Sequence, residues 1–244
     1  MRTPTIYVAT SLVIAVTMSS SVTVAQTPEE LKQQVEKTLG EERELRRLGV
    51  SVAGNEITLS GRVDNFWYKS EALRLTFDVN GVETVVSEIE MPTEEDEGRL
   101  AENVVKAIQG YSYYRMWDHL DGRLNAGTVT LMGNVTPERD KVGELFERIA
   151  KVRGVQDVQM NVNVLSASQE DARLRSMIAS RLFTNEHFQR FEGMHPPPFH
   201  IVINNSVVTL IGYVQGRIER IEMQRIVAQT QGVLRVDNQL QTMR

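Results

Sequence analysis

Between residues 57 and 63 the chain reads Ile-Thr-Leu-Ser-Gly-Arg-Val, with Ile57, Leu59 and Val63 on one side of an extended segment and Thr58, Ser60 and Arg62 on the other. This period of two predicts a half-buried β-strand. The phrase returns as VTLMGNV at 129–135 and as VTLIGYV at 208–214. In each copy a helical stretch and then a Gly-Val pair follow: Gly81-Val82, Gly154-Val155 and Gly232-Val233. The strand glycines Gly61, Gly133 and Gly212 precede those pairs by 20, 21 and 20 residues, and successive copies lie 72 and 79 residues apart. Two landmarks kept in three copies mark an internal repeat, and the repeat sets the architecture before any local assignment does.

Each copy predicts the order α-β-β-α-β. In the first, Thr27-Pro28-Glu29-Glu30 is a helix start, with Thr as N-cap, Pro at the first helical position and Glu at the third. That helix is expected to run to about Arg46. A strand at 48–52 turns at Gly54-Asn55 into 57–63. Asn65 caps the second helix, and 82–91 is the third strand. Gly61 is placed on the buried face, where a missing side chain would let a helix approach. In the second copy a helix starts at Thr93 or Glu94 and runs to about Gln109, 120–125 and 129–135 form a hairpin, Thr136-Pro137-Glu138 starts a helix, and 155–165 is a strand. In the third, Ser168 with Asp171 makes a capping box, 201–204 and 207–214 form the hairpin, 218–230 is the helix and 233–240 the last strand. The predicted fold class is α+β: three tandem small α-β-β-α-β domains, each a mixed three-stranded sheet with two helices on one face. Their boundaries are 26–93, 94–165 and 166–244. Each copy can close its own core, which distinguishes tandem domains from an open solenoid.

The segment before the first repeat bears on location. Arg2 supplies a positive start, residues 6–18 are mostly apolar, and small residues at Thr23 and Ala25 suit signal-peptidase cleavage after Ala25. Thr10, Ser11 and Thr17 interrupt the run, which falls short of the ~20 residues a spanning helix needs. Residues 1–25 therefore read as a signal peptide and the protein as exported, to the periplasm first, with secretion or a retained signal anchor as the other destinations. The chain has no cysteine, which rules out a lipidated N-terminal Cys, a disulfide framework and a thiol nucleophile. At 41% hydrophobic and 24% charged residues, composition is that of an ordinary globular chain and not of a disordered one. Charge shifts along the repeats, from −5 over 26–93 to −3 over 94–165 and +2 over 166–244, and every cation of the last is Arg. Arg pairs well with phosphate. That suggests a polyanionic surface as partner, with ordinary solvated surface as the other reading.

Little in the chain suggests catalysis. The four histidines, His119, His187, His195 and His200, form no H-E-x-x-H pattern, and there is no Gly-x-Ser-x-Gly elbow or phosphate-cradling glycine loop. His195 and His200 flank Pro196, Pro197 and Pro198 near Glu192, a spacing open to a metal and equally to a stiff surface loop. Asp118 and Asp121 are a pair of carboxylates too common to mean anything alone. No catalytic residue, metal site or cofactor is assigned, and no nucleic-acid partner is expected.

Strand-Gly-x-Val, helix, Gly-Val and a Val-x-Asn-like strand together resemble the BON family, small α-β-β-α-β domains found mainly in exported bacterial proteins. The stretch from Trp117-Asp118 to Leu165, and Pro196-Pro197 with Phe199-His200-Ile201, look typical of its multi-domain members, whereas the first repeat carries SEIEM where Val-x-Asn is usual. The resemblance spans essentially all of 26–243 and implies envelope residence, association with anionic phospholipid, a role in osmotic or envelope-stress tolerance, and no catalytic activity. The expected function is thus that of a non-enzymatic envelope protein on anionic phospholipid. The alternative is a protein-interaction scaffold or chaperone-like adaptor bound to other envelope proteins without lipid contact.

Lipid contact requires basic groups beside exposed apolar ones. A helical wheel over 66–79 clusters Phe66, Leu73 and Phe77 on one face, with Ala72, Thr76 and Val79 beside it, and puts Trp67 opposite, among Glu71, Arg74 and Asp78. Trp67 reads either as an interfacial anchor or as a contact with another repeat. In the third repeat Arg217, Arg220 and Gln224 share one side of a helix with Ile221 between them and Arg225 flanking. That surface is the preferred lipid-facing one, set against a plain solvated face. The rings of Tyr111, Tyr113 and Tyr114 before Trp117 read as core or inter-domain packing.

Overall fold

The computed structural model describes residues 27–195 and 198–243. The signal-peptide assignment to 1–25 lies outside the described residues, as do Pro196 and Pro197. The three α-β-β-α-β units are present. The first is α1 (Pro28–Glu41), β1 (Gly49–Ala53), β2 (Glu56–Arg62), α2 (Phe66–Phe77) and β3 (Thr84–Glu90). The second is α3 (Glu97–Gln109), β4 (His119–Asn125), β5 (Thr128–Val135), α4 (Lys141–Ala150) and β6 (Asp157–Val164). The third is α5 (Gln169–Phe183), β7 (Phe199–Asn204), β8 (Val207–Val214), α6 (Arg217–Ala228), β9 (Arg235–Asn238) and β10 (Gln241–Thr242). In every unit the middle strand pairs antiparallel with the first and parallel with the last. A two-residue turn suffices for the hairpin, whereas the parallel strand needs the helical crossover. Strands β9 and β10 run in line along β8, Val207 opposite Arg235 and Val214 opposite Thr242. The break between them is local: Asn238 Oδ1 accepts the Leu240 N–H at 3.1 Å while the Leu240 side chain enters the core.

Each repeat closes its own core. Val35, Ile57 and Leu59 centre the first, Leu100, Leu131 and Leu145 the second, and Ile178, Phe199, Leu210 and Met223 the third. The apolar positions of the strand phrases supply one wall and the helices the other. All six motif glycines have positive φ. In the turn after the second helix the angles are 96° at Gly81, 97° at Gly154 and 99° at Gly232, a conformation that favours glycine. The strand glycines differ from the expected close approach by a helix. A Cβ on Gly133 would lie 2.1 Å from the His119 carbonyl oxygen and one on Gly212 2.6 Å from the Pro198 carbonyl oxygen. What presses on them is therefore the backbone of the adjoining strand entry. At Gly61, exposed and not on the buried face, the nearest atom is Leu48 Cδ2 at 3.3 Å.

Local chemistry moves several helix ends. Thr27 makes the expected capping box: its hydroxyl accepts the Glu30 N–H at 3.2 Å and the Glu30 carboxylate accepts the Thr27 N–H at 2.9 Å. Yet α1 stops at Glu41, short of Arg46, because the chain turns to bring Leu45 into the core. Helix α3 starts at Glu97, capped by Asp96, since Thr93 bridges to Gly154 and Glu94 pairs with Arg99. Thr136 does not start α4. Its hydroxyl donates to Asp118 at 2.9 Å and accepts from Lys141 Nζ at 2.6 Å, and Asp140 caps instead. Ser168 caps α5, but the Asp171 carboxylate does not close the box; it accepts the Asn205 and Ser206 N–H groups of the β7–β8 turn. The buried face of α2 is shifted from the centre of the wheel's apolar cluster to its border, for Ala72 and Thr76 are the buried residues and Phe77 is exposed.

The repeats touch through side chains just outside their cores. Phe66 and Trp67 of α2 lie 6.2 and 6.0 Å, centroid to centroid, from Phe146 of α4, and Lys151 Nζ sits 5.4 Å over the Trp67 ring. Gln156 Nε2 donates to the Pro92 carbonyl at 2.7 Å. Between the second and third repeats, Met116 and Trp117 pack on the third core and the Ile201 N–H donates to the Met116 carbonyl at 2.6 Å. Beside that bond the His200 ring lies tilted against Tyr114 and His119, at centroid separations of 5.2 and 5.6 Å.

Candidate functional site

Helix α6 begins at Gly216, which offers no side-chain cap, and buries Glu219, Met223, Ile226 and Val227 against its sheet. At 3.6 residues per turn the opposite side is centred on Ile221, with Ile218, Arg217 and Arg225 around it. Ile221 is 55% exposed and Ile218 71%. Two β-branched residues that far into solvent on one helix face are an unpartnered apolar surface. Tyr213 on β8 and Met243 just after β10, also exposed, lie side by side at the end of the sheet that leads into α6. Ile218, Tyr213 and Met243 were not singled out from the sequence. Ile218 could have been, since it stands three residues before Ile221 and shares its face.

The cations of this face are unequal. Arg217 makes no ion pair among the described residues. Arg220 leans on the Asn238 carbonyl at 3.4 Å, and Asn238 in turn donates to Gln224 at 2.9 Å. Arg225 is clasped by Glu222, with one bond at 2.9 Å, and by Gln229 at 2.9 Å. The Glu222 hydrogen bonds hold Arg225 above its ordinary pKa, and the same bonds hold the Glu222 carboxyl below its own. Elsewhere in the repeat Arg190 pairs with Glu219, and Arg181 donates to the Gln229 carbonyl. Pairing within the repeat leaves its net charge of +2 unchanged, but it takes Arg190 and Arg225 out of the cations free to meet an external anion.

Trp67 is half-buried on Phe146, in the contact between repeats, and does not stand clear in solvent. Tyr111 and Tyr114 are buried, while Tyr113 is half-covered by Arg139, whose guanidinium carbon lies 3.7 Å from the ring centroid. Burial pushes the Tyr114 hydroxyl up to about 12. His195 and His200 are not brought together as a metal site: His200 faces Tyr114 and His119, whereas His195 lines a cleft. Among the described residues no group of three or more His, Asp or Glu side chains is placed to hold a metal, and no helix is long and apolar enough to cross a membrane. Asp118 is a buried ion-pair partner of Lys141 and Asp121 is exposed, so the two carboxylates do not act together.

The family model described as BON domain matches residues 27–93 and 170–243. The matched regions are the first and third repeats, the first included despite its SEIEM ending. The middle unit, with its stretch from Trp117 to Leu165, lies outside both regions although it has the same element order. No curated protein matches the chain. Among solved structures, the C-terminal domain of CdsD, the structural protein of the Type III secretion system of Chlamydia trachomatis, is 15% identical with a TM-score of 0.24, over 88% of this chain and 98% of that one. A second CdsD structure is 14% identical with a TM-score of 0.24, over 88% and 92%. At those TM-scores neither bears on what this chain does. The matched regions cover more than half of the sequence and each coincides with one complete α-β-β-α-β unit, so the chain belongs to the BON-domain family.

Proposed function

We propose that this is an exported, non-enzymatic envelope protein that attaches to anionic phospholipid surfaces through the outer face of α6, with the first two repeats as spacer or docking modules. The observation that carries it is the exposure of Ile218 and Ile221 beside an Arg217 that makes no ion pair among the described residues. Full burial of an Ile side chain contributes about 1.5–3 kcal/mol, and a basic residue near an anionic surface about 1 kcal/mol. With Arg225 held by Glu222, the apolar pair outweighs charge even when only half inserted. Attachment should therefore prefer anionic lipid yet fall only partly with added salt. Membership in the BON family supports a non-catalytic, envelope-associated role.

The test is co-sedimentation of the chain after Ala25 with anionic and zwitterionic liposomes at low and high salt. Ile218→Ser/Ile221→Ser should lose more binding than Arg217→Glu, and both should retain the parent's fold. Absence of binding to every liposome would sink the proposal and favour the scaffold reading, to be pursued by cross-linking in the envelope.

A further inference from the structure

The third repeat places 15 residues between the end of α5 and the start of β7, where the first and second use seven and nine. Part of the excess serves its core: Phe188 is fully buried there. Of its other described residues, Phe191, Gly193, Met194 and His195 face the segment that leads into β4. Between the two lies a cleft of about 460 Å³. Met116 and Trp117 form its wall from the second repeat, and Phe183, Phe191, Met194 and Phe199 its wall from the third. Among the described residues its polar lining is Ser112, Arg115 and His195, with no carboxylate.

The volume falls in the range of small-molecule sites, and a junction of domains is where such sites recur. The chemistry narrows the ligand. Arg115 donates its backbone N–H to Asp118 at 2.8 Å, and its exposed guanidinium makes no ion pair among the described residues. Met194 is 46% exposed although it faces aromatic neighbours across the cleft. A small hydrophilic anion would meet Arg115, Ser112 and His195 at one side and apolar walls elsewhere, where most of its solvation could not be replaced. A neutral apolar ligand would leave Arg115 unused. We propose that the cleft between the second and third repeats binds a single-chain anionic amphiphile, its tail against Trp117, Phe191 and Met194 and its head group on Arg115. This site is separate from the α6 face, and either can fail without the other.

Trp117 reports directly, since the chain has only two tryptophans. In a Trp67→Phe background, sodium decanoate and decyl phosphate, each below its micelle concentration, are titrated against Trp117 emission, with 1-decanol as the uncharged control. Saturable change with either anion is expected, and the tighter of the two names the head group. Arg115→Gln should weaken the anions about fivefold, the upper range for an exposed ion pair, and leave decanol unchanged. Met194→Glu, at an exposed position that tolerates charge, should abolish binding of all three with the circular dichroism spectrum unchanged. The proposal is overturned by a linear, unsaturable response, by equal anion affinity in Arg115→Gln, or by binding that survives Met194→Glu.

Discussion

Lys141 is the residue whose behaviour is least apparent from its type. It stands at the start of α4 with 1% of its surface exposed, and its ammonium bonds both oxygens of the fully buried Asp118 at 2.9 Å. The Thr136 hydroxyl, the Thr136 N–H and the Arg115 N–H complete the set around that carboxylate. A buried pair of this kind adds little over an apolar substitute, but losing one partner strands a charge. Asp118→Ala is accordingly expected to cost about 3–5 kcal/mol, and the double change Asp118→Leu/Lys141→Met less, its remaining loss coming from the Thr136 and Arg115 N–H groups left without their acceptor. Chemical denaturation followed at the adjacent Trp117 distinguishes them, and equal losses would show that the pair is not what holds this corner. Nothing in the residues around Lys141 signals that it is buried. Only the fold reveals that Asp118, 23 positions earlier, is directly beneath it.

At the scale of elements, what could be read early was local. The strand phrases, the turn glycines and the Thr27 and Asn65 caps depend on neighbours a few residues away, and all of them appear as elements in place. What could not be read depends on contacts between repeats. Helix α2 has two apolar sides because it packs on its own sheet through Ala72 and on α4 through Phe66 and Trp67, so its wheel has no single answer. The outer face of α6 was legible in Ile221 and its arginines because solvent leaves helical periodicity undisturbed, but the pairing of Arg225 with Glu222 was not singled out. The α2–α4 contact gives a direct expectation. Phe146→Ala removes the ring on which both aromatics rest and should cost roughly 1–2 kcal/mol. In a Trp117→Phe background it should shift Trp67 emission to the red and speed proteolysis near Pro92. Unchanged emission would mean that α2 holds Trp67 without help from α4.

At the scale of the molecule, the junction of the second and third repeats is sensitive to acid. Burial pushes His200 down to about 4, and the neighbouring His119 adds to the effect. His119 is itself lowered by burial, against the opposing pull of Asp121. Among the described residues neither Nδ1 atom, both buried, has a hydrogen-bond partner, and the Tyr114 hydroxyl lies 3.3 Å from His200 Nε2. The folded state thus favours neutral imidazole, while the unfolded chain takes up a proton near pH 6.5. The stabilisation is complete above about pH 6.5 and is lost as pH falls toward 4, on the order of 3 kcal/mol in all. Thermal unfolding between those pH values should show the loss, and His200→Gln should flatten it. An equally steep pH dependence in His200→Gln would place the acid sensitivity elsewhere.

The hydrogen bond from Ile201 to Met116 has a consequence for how this chain survives among its own copies. Strand β7 is the outermost strand of its sheet on that side and reads Phe-His-Ile-Val-Ile-Asn, six residues without Lys, Arg, Asp, Glu, Pro or Gly. An uncovered sheet border of that composition invites pairing with any other extended chain, and six residues suffice to seed a fibril. Through Met116 and the approach of β4, the preceding repeat occupies that border first. Tandem order thereby acts as a guard against self-association: the middle unit shelters an uncharged, β-branched edge hexapeptide of its neighbour, and a nick between residues 165 and 168 that let the two separate would release a fragment with that border bare.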